Sequence, residues 1–411
     1  MTLTRVLFPF LVVLLSTCNR SRQGNILSER TDFQITPVPK AAFDAVFRDS
    51  CGAGGVSPAG QTAFLRGPYL QKMTDESVEI LWTSDSPDAA SVVVRTPDGS
   101  PVVELNPVVD EQSDRPEFAQ YVTKVEGLES ETIYCYEVRG EDGAWLEATG
   151  FRTAPGPDST TPIKIVVLGD LGTRTPDQYA VLSQIEQVQY DLVLIPGDLA
   201  YDKGTISDHE KNFFGVYEHI MRSIPIFVKT GNHDYAADGA VFREVFSLPD
   251  NGGPGGVERW DSLDWGSIHI VSRATEKIGD AQQIAWLEAD LAANSQATTI
   301  VFMHRPPFSS GSHGSTKSTH VALTPLFVEH GVDLVLAGHD HNYERTQAID
   351  GVTYVVTGGG GRGTSAVGTS WFTEYSERVA HFIHMTVGPE ELSFRAIDAS
   401  GIDFDALELN R

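Results

Sequence analysis

The chain has 411 residues, enough for two or three domains and a sizeable core. Its 30 Lys and Arg against 56 Asp and Glu leave a formal net charge of −26. That balance excludes duplex nucleic acid as a partner, which needs a basic face, and no basic run exceeds Arg20-Ser21-Arg22.

At the N-terminus, Arg5 precedes an apolar stretch over residues 6–15, too short to span a bilayer and so of signal-peptide type. Small residues then lead directly to Cys18, the pattern of a bacterial lipoprotein signal with Cys18 as the lipid-bearing residue. The alternative is an ordinary signal cleaved nearby. Both export the protein, to the cell envelope as a lipoprotein or otherwise to the periplasm or medium. Residues 19–60 read as a tether and pre-domain segment. Setting Cys18 aside leaves Cys51 and Cys135, which an oxidising compartment would allow to pair; a buried free thiol at Cys135 is equally open.

Residues 61–153 carry short strand patterns, SVEILWT, ASVVVR and TIYCYEV, of the length and spacing of a β-sandwich, with Trp82 as core packing. A linker, APGPDSTTP at 154–162, follows. From residue 163 onward strands and helices alternate. Thr175-Pro176 starts a helix with Tyr179, Leu182, Ile185 and Val188 at apolar spacing, residues 281–293 form a second, and Thr324-Pro325 opens a short third that Gly331 closes.

Five apolar runs in this region, IKIVVL, DLVLIP, IPIFVKT, TTIVFM and VDLVLA, read as buried strands. Each is followed by a short segment rich in donor atoms. These are Gly169-Asp170-Leu171-Gly172, Gly197-Asp198-Leu199-Ala200-Tyr201, Gly231-Asn232-His233-Asp234, Met303-His304 and Gly338-His339-Asp340-His341. Ligands bind at the carboxyl ends of such strands, and Asp, Asn, His and Tyr gathered at one sheet edge point to a polynuclear metal site. The run Gly358 to Gly361 lacks the following Lys-Ser/Thr of a P-loop and reads as a tight loop beside the site. The ending HFIHMTV to ELSFRAID reads as a β-hairpin.

The ordered set of segments resembles the metallophosphoesterase superfamily. Tyr201, three residues after Asp198, and the run Gly338-His339-Asp340-His341-Asn342-Tyr343-Glu344-Arg345 narrow the resemblance to the purple acid phosphatases. The resemblance implies an α/β (α+β) metallophosphoesterase-type two-sheet sandwich flanked by helices over residues 163–411. It also implies an all-β fibronectin type III-like sandwich ahead of it. Carried over by motif, one metal, ferric iron, takes Asp170, Asp198, Tyr201 and His341. The second, Fe(II), Zn(II) or Mn(II), takes Asp198, Asn232, His304 and His339.

Within the same resemblance His233 contacts phosphate or helps protonate the leaving group. His313, in the loop 309–314, is the candidate general acid, and Gly314 stands where plant-type members often carry a second His. His320 is a spare candidate. His209, His219, His269, His330, His381 and His384 read as packing or surface residues. Asp202, Asp234 and Asp340 are candidate acceptors for metal-bound imidazoles, and Arg345 is expected to pair with a local carboxylate.

The implied activity is acid hydrolysis of phosphate monoesters by in-line attack of a metal-bound hydroxide. The partner is then a small phosphorylated substrate, and membrane contact runs only through a lipid at Cys18. Alternatives are a phosphodiesterase or nucleotide hydrolase on the same site, and a surface-anchored binding protein with an idle phosphatase domain. Oligomeric state leaves no signal in the sequence.

Overall fold

The computed structural model describes residues 42–84, 90–110, 119–141, 143–253 and 255–410. Cys18, with the signal segment 1–18 and the tether to residue 41, lies outside the described residues.

Two short helices, α1 (Ala45–Ser50) and α2 (Pro58–Ala63), come first. α2 starts where Ser57 caps the Gly60 amide at 3.0 Å and Pro58 presets the first turn. They pack on an all-β region of eight strands. These are β1 (Phe64–Gln71), β2 (Ser77–Ser84), β3 (Ser91–Arg95), β4 (Pro101–Leu105), β5 (Val108–Val109), β6 (Ala119–Glu126), β7 (Ile133–Gly140) and β8 (Gly143–Arg152). They form two four-stranded sheets, ordered β1-β2-β6-β5 and β4-β3-β7-β8. Trp82 on β2 sits opposite Tyr121 on β6, and the rings stack at 5.7 Å inside the core.

Cys51, at the end of α1, is bonded to Cys135 on β7, with Cα atoms 5.2 Å apart. Of the two states open in the sequence, the paired one is found. The bridge closes a loop of 84 residues.

The remaining strands are β9 (Ile163–Val167), β10 (Leu192–Ile195), β11 (Ile226–Val228), β12 (Asp261–Trp265), β13 (Ile268–Arg273), β14 (Thr298–Met303), β15 (Leu334–Ala337), β16 (Tyr343–Thr346), β17 (Thr353–Thr357), β18 (Thr373–Glu377), β19 (His381–Val387), β20 (Glu391–Asp398) and β21 (Asp403–Asn410). They build two mixed sheets, β11-β10-β9-β19-β20-β21 and β12-β13-β14-β15-β17-β16-β18. Within them β9, β10 and β11 run parallel, as do β13, β14, β15 and β17. The C-terminal hairpin β19–β20 is present and carries a third strand, β21.

Period-two alternation explains the layering. Ile270, Ile300 and Leu334 pack with Ile165, Val167, Leu194 and Ile383 of the other sheet in one core. Their neighbours Val271, Val301 and Val335 point the other way, toward helices α7 and α8 described below.

The helices of this half are α3 (Pro176–Ile185), α4 (Ile206–Asp208), α5 (Gly215–Met221), α6 (Ala240–Val245), α7 (Ala281–Ala293) and α8 (Lys317–Glu329), with a π-helical turn, His209–Phe214, joining α4 to α5. α3 starts as expected, with Thr175 capping the Gln178 amide and Pro176 at its first position. Its buried face is Gln178, Val181, Leu182 and Ile185, whereas Tyr179 is 43% exposed, one position off the expected stripe. α8 differs more from expectation: it begins at Lys317, and Pro325 lies inside it. Thr319, Leu323 and Phe327 recur every four residues on its buried face, and that stripe holds the helix together across the proline. Proline removes the amide that Val321's carbonyl would use, but Val321 is 63% exposed, so water can serve it.

The all-β region is tied to the two-sheet half by buried polar contacts. Tyr69 donates to the Val245 carbonyl (2.7 Å), Gln71 to Ile226 (3.2 Å) and Tyr136 to Arg222 (2.9 Å). Arg66, nearly fully buried, pairs with Glu210 and lies over the Phe214 ring.

Two stability predictions follow from these contacts. Opening the loop through Cys51→Ser lowers unfolding free energy by about 2–4 kcal/mol, read as a lower denaturant midpoint. His269 bridges Asp264 (2.7 Å) and Asp290 (3.0 Å); burial pulls its pKa down, but the two carboxylates outweigh it and lift it to about 9. A raised folded-state value means the contribution is whole below the unfolded value of about 6.5, declines above it and is gone past the folded value. Between pH 6 and 9.5 the wild type should therefore lose about 1–2 kcal/mol more than His269→Gln does.

Candidate metal centre

The five donor-rich segments all leave the carboxyl ends of parallel strands, three from the first sheet (β9, β10, β11) and two from the second (β14, β15). Their tips meet because the loops are stitched together. The Asp170 amide donates to the Gly197 carbonyl and that of Leu171 to Asp198, both at 3.1 Å, and that of Tyr201 donates to Gly172 at 3.0 Å. Glycine is required at two of the approaches. A Cβ on Gly231 would stand 2.0 Å from Asp198 Oδ1, and one on Gly338 would stand 2.4 Å from Asp170 Oδ2. Asp170, Asp198 and His339 adopt left-handed φ of 58°, 55° and 74°, a conformation that non-glycine residues enter at a cost of about 1–2 kcal/mol each.

The result is two donor groups that share one carboxylate. In the first, Tyr201 OH lies 3.0 Å from Asp170 Oδ1, 2.8 Å from Asp198 Oδ2 and 3.2 Å from His341 Nε2. In the second, His304 Nε2 lies 3.5 Å from the same Asp198 Oδ2, 3.1 Å from Asn232 Oδ1 and 3.2 Å from His339 Nδ1. Asp170, Asp198 and His304 are all buried, and their donor atoms lie within 4.8 Å of one another. Separations near 3 Å between donor atoms are the edges of a coordination polyhedron with bonds of roughly 2.0–2.2 Å. The donors are hard oxygens and imidazole nitrogens, so the residues present fit two transition-metal ions.

The electrostatics agree. Burial pushes the Tyr201 phenol well above its ordinary pKa, and Asp170 and Asp198 push it further. Burial, with His304 and Arg305 nearby, holds His339 down at about 3, so its ring is neutral. Burial lifts Asp198; for Asp170 burial acts upward too, but His341 and His304 outweigh it and draw it below the usual carboxylate range. A carboxylate and a phenol that burial raises, packed against a second carboxylate held ionised by imidazoles, are a cation site by chemistry.

The surroundings fix the ring nitrogens. His304 Nδ1 meets the Pro196 carbonyl at 3.0 Å, which aims Nε2 at the cluster. Among the described residues, none of the three aspartates expected to accept from metal-bound imidazoles is found bonded to one. Asp234 accepts the amides of Leu199, Ala200 and Gly231, each at 3.0 Å, and so staples the Asp198 loop to the Asn232 loop. Asp202 Oδ1 takes Arg362 at 3.2 Å, and Asp340 takes the loop that bears His313. The acceptor role fell to backbone carbonyls because the loop amides needed the carboxylates first.

His233 is half-buried beside the cluster. Its amide donates to Asp198 Oδ1 (2.9 Å), its Nδ1 meets the Asp202 carbonyl (2.7 Å), and its ring lies 4.4 Å from that of Tyr201. His313 lies on the other side, its ring 4.2 Å from that of His339 and its side chain 52% exposed. His320 is instead packed edge-on against Phe308, and His209 is buried with Nε2 4.0 Å from Asp234. Arg345 pairs with Asp405 (2.7 and 2.9 Å), sixty residues away on β21 and not local. Two arginines were missed in the sequence. Arg305, held by Glu276, reaches His339 Nε2 at 3.0 Å, and Arg362 stacks over the Tyr201 ring at 5.0 Å. Arg305 could have been noticed as the neighbour of His304; Arg362 carries no sequence signal beyond the glycine run before it.

Comparison with known proteins agrees with this geometry. Residues 163–343 match the calcineurin-like phosphoesterase family. Purple acid phosphatase 22 of Arabidopsis thaliana is 29% identical over 240 residues, covering 55% of this chain and 53% of that protein. Human acid phosphatase type 7 is 30% identical over 247 residues, covering 53% and 54%. Mouse tartrate-resistant acid phosphatase type 5 is 26% identical over 304 residues, covering 62% of this chain and 92% of that protein. The chain thus spans about half the length of the plant and human type 7 relatives. In fold, it matches a purple acid phosphatase from yellow lupin (Lupinus luteus) seeds with a TM-score of 0.73, at 20% identity, over 84% of this chain and 74% of that one. Residues 163–343 therefore carry a calcineurin-like phosphoesterase domain, and the chain has homologues among the purple acid phosphatases.

Proposed function

We propose that the protein is an exported, dinuclear metal-dependent phosphatase that hydrolyses phosphate monoesters at acid pH. The observation that carries this reading is the position of Asp198 Oδ2, common to two complete donor groups. An idle domain would be expected to have lost some of the seven donors.

When bound, two cations supply Lewis acidity toward the phosphoryl group and lower the pKa of a water that attacks phosphorus in line. The chain's own residues do the rest. Asp170, Asp198, Tyr201 and His341 hold the first ion, and Asp198, Asn232, His304 and His339 the second. The first is ferric iron on our reading, as the resemblance carried by Tyr201 implies, since a phenol oxygen is a hard donor that suits a trivalent ion. Fe(II), Zn(II) or Mn(II) suits the second set. His233 lies where it can donate to a phosphoryl oxygen, and His313 where its proton can pass to the leaving oxygen.

The Cys51–Cys135 bridge supports an oxidising location, in line with the signal segment 1–18 and a lipid at Cys18. Among the described residues no helix is long and apolar enough to cross a membrane. The organisation we propose is tether 19–60, fibronectin type III-like module 61–153, linker 154–162 and catalytic domain 163–411.

The test is phosphate release from an aryl monoester and the matching diester across acid to alkaline pH, beside metal analysis. Asp198→Ala should lose at least one equivalent of metal and about 10³-fold or more in kcat/KM. Tyr201→Phe should lose the visible absorption that a phenolate gives on ferric iron while keeping its fold. Preference for the diester, or an alkaline optimum, would assign the site to a phosphodiesterase or nucleotide hydrolase. Metal-free wild type with undiminished activity would end the metallophosphatase reading.

A further inference from the structure

Asp340 stands between two metal donors, His339 and His341, yet among the described residues no partner of its carboxylate is a metal donor. It is fully buried, and every bond it accepts comes from the loop 309–314. Oδ2 takes the Ser309 hydroxyl (2.6 Å) and the Gly314 amide (3.2 Å). Oδ1 takes the His313 amide (2.8 Å), the Ser312 hydroxyl (3.4 Å) and the His313 ring Nδ1 (3.1 Å). The loop wraps the carboxylate closely enough that a Cβ on Gly311 would meet Asp340 Cγ at 2.4 Å. A second anchor, Glu344, takes the Ser310 amide at 2.5 Å.

From this cage we infer that Asp340 is a positioning residue, one that fixes the His313 ring over His339 with Nδ1 engaged and Nε2 free at the mouth of the site. The inference rests on the phosphatase reading above and deepens it. A burial cost for a carboxylate is normally offset by a cation or by several donors. Here five donors from one loop do so, and one of them is the imidazole that the loop exists to present. A histidine that is half exposed and on a six-residue loop would otherwise sample several rotamers, and effective proton transfer needs one. The roles within the Gly338-His339-Asp340-His341 segment are then divided: the two outer imidazoles face the metals, and the central carboxylate faces the loop.

The experiment compares two monoesters, a nitrophenyl phosphate, whose leaving group departs without a proton, and glycerol phosphate, whose alkoxide needs one. Wild type, His313→Ala, Asp340→Asn and Gly311→Ala are assayed at matched metal content. His313→Ala should lose on the order of 10²-fold on glycerol phosphate and little on the nitrophenyl ester. Asp340→Asn and Gly311→Ala should repeat that selective pattern at about tenfold, with KM nearly unchanged. Gly311 is not among the seven donors, so it decides the matter if Asp340→Asn sheds metal. Equal losses on both esters, or none, in the variants that retain metal would overturn the inference while leaving the phosphatase reading intact. A wild type that hydrolyses neither ester would overturn both.

Discussion

The carboxylate of Asp198 is shared between two sets of donors, and the rest of the structure is organised around keeping it there. One of its oxygens touches Tyr201 and faces His304, while the other takes the His233 amide. Such a cluster is costly to assemble. It removes two carboxylates from water, bends three donor residues into left-handed backbone conformations and crowds imidazoles against each other. Bound cations would offset the charge term. Backbone bonds between loops, and the three amides gathered by Asp234, hold the geometry.

Support for those loops extends into the N-terminal strands. Arg66 on β1 pairs with Glu210, whose neighbour His209 is buried against Asp234. The contacts thus run without a gap from the all-β region to the staple between the Asp198 and Asn232 loops. The π-helical turn that carries His209 and Glu210 is the middle of that path, and such turns recur at functional sites. Packing of the N-terminal strands is therefore part of what sets the site, and not a neighbouring module loosely tethered to it.

On the phosphatase reading proposed above, a chain with net charge −26 has to bind an anionic substrate, and range resolves the conflict. Surface charge is screened over roughly 8–10 Å in physiological salt, while an ion in contact with a phosphoryl oxygen acts unscreened. Arg305 and Arg362 add positive charge at the rim, each partly neutralised by its carboxylate, Glu276 or Asp202.

The parallel strands and the donor-bearing loops after them were legible in the sequence because they depend on local order: an apolar run, in most cases a glycine, then short polar side chains. The helix cap at Thr175 was legible for the same reason. Where local rules competed with packing, packing won: the buried stripe Thr319, Leu323 and Phe327 carried α8 through Pro325. Contacts between distant segments left no trace in the sequence. Arg345 with Asp405 and Arg362 over Tyr201 required the chain to be folded, whereas the Cys51–Cys135 pair was one of two states the sequence had offered. So the sequence by itself determined which donor-bearing segments follow the parallel strands, since that depends on strand and turn. Only the tertiary structure decided what holds those atoms in place, since a carboxylate such as Asp234 or Asp340 bonds to whichever amides the fold brings within 3 Å.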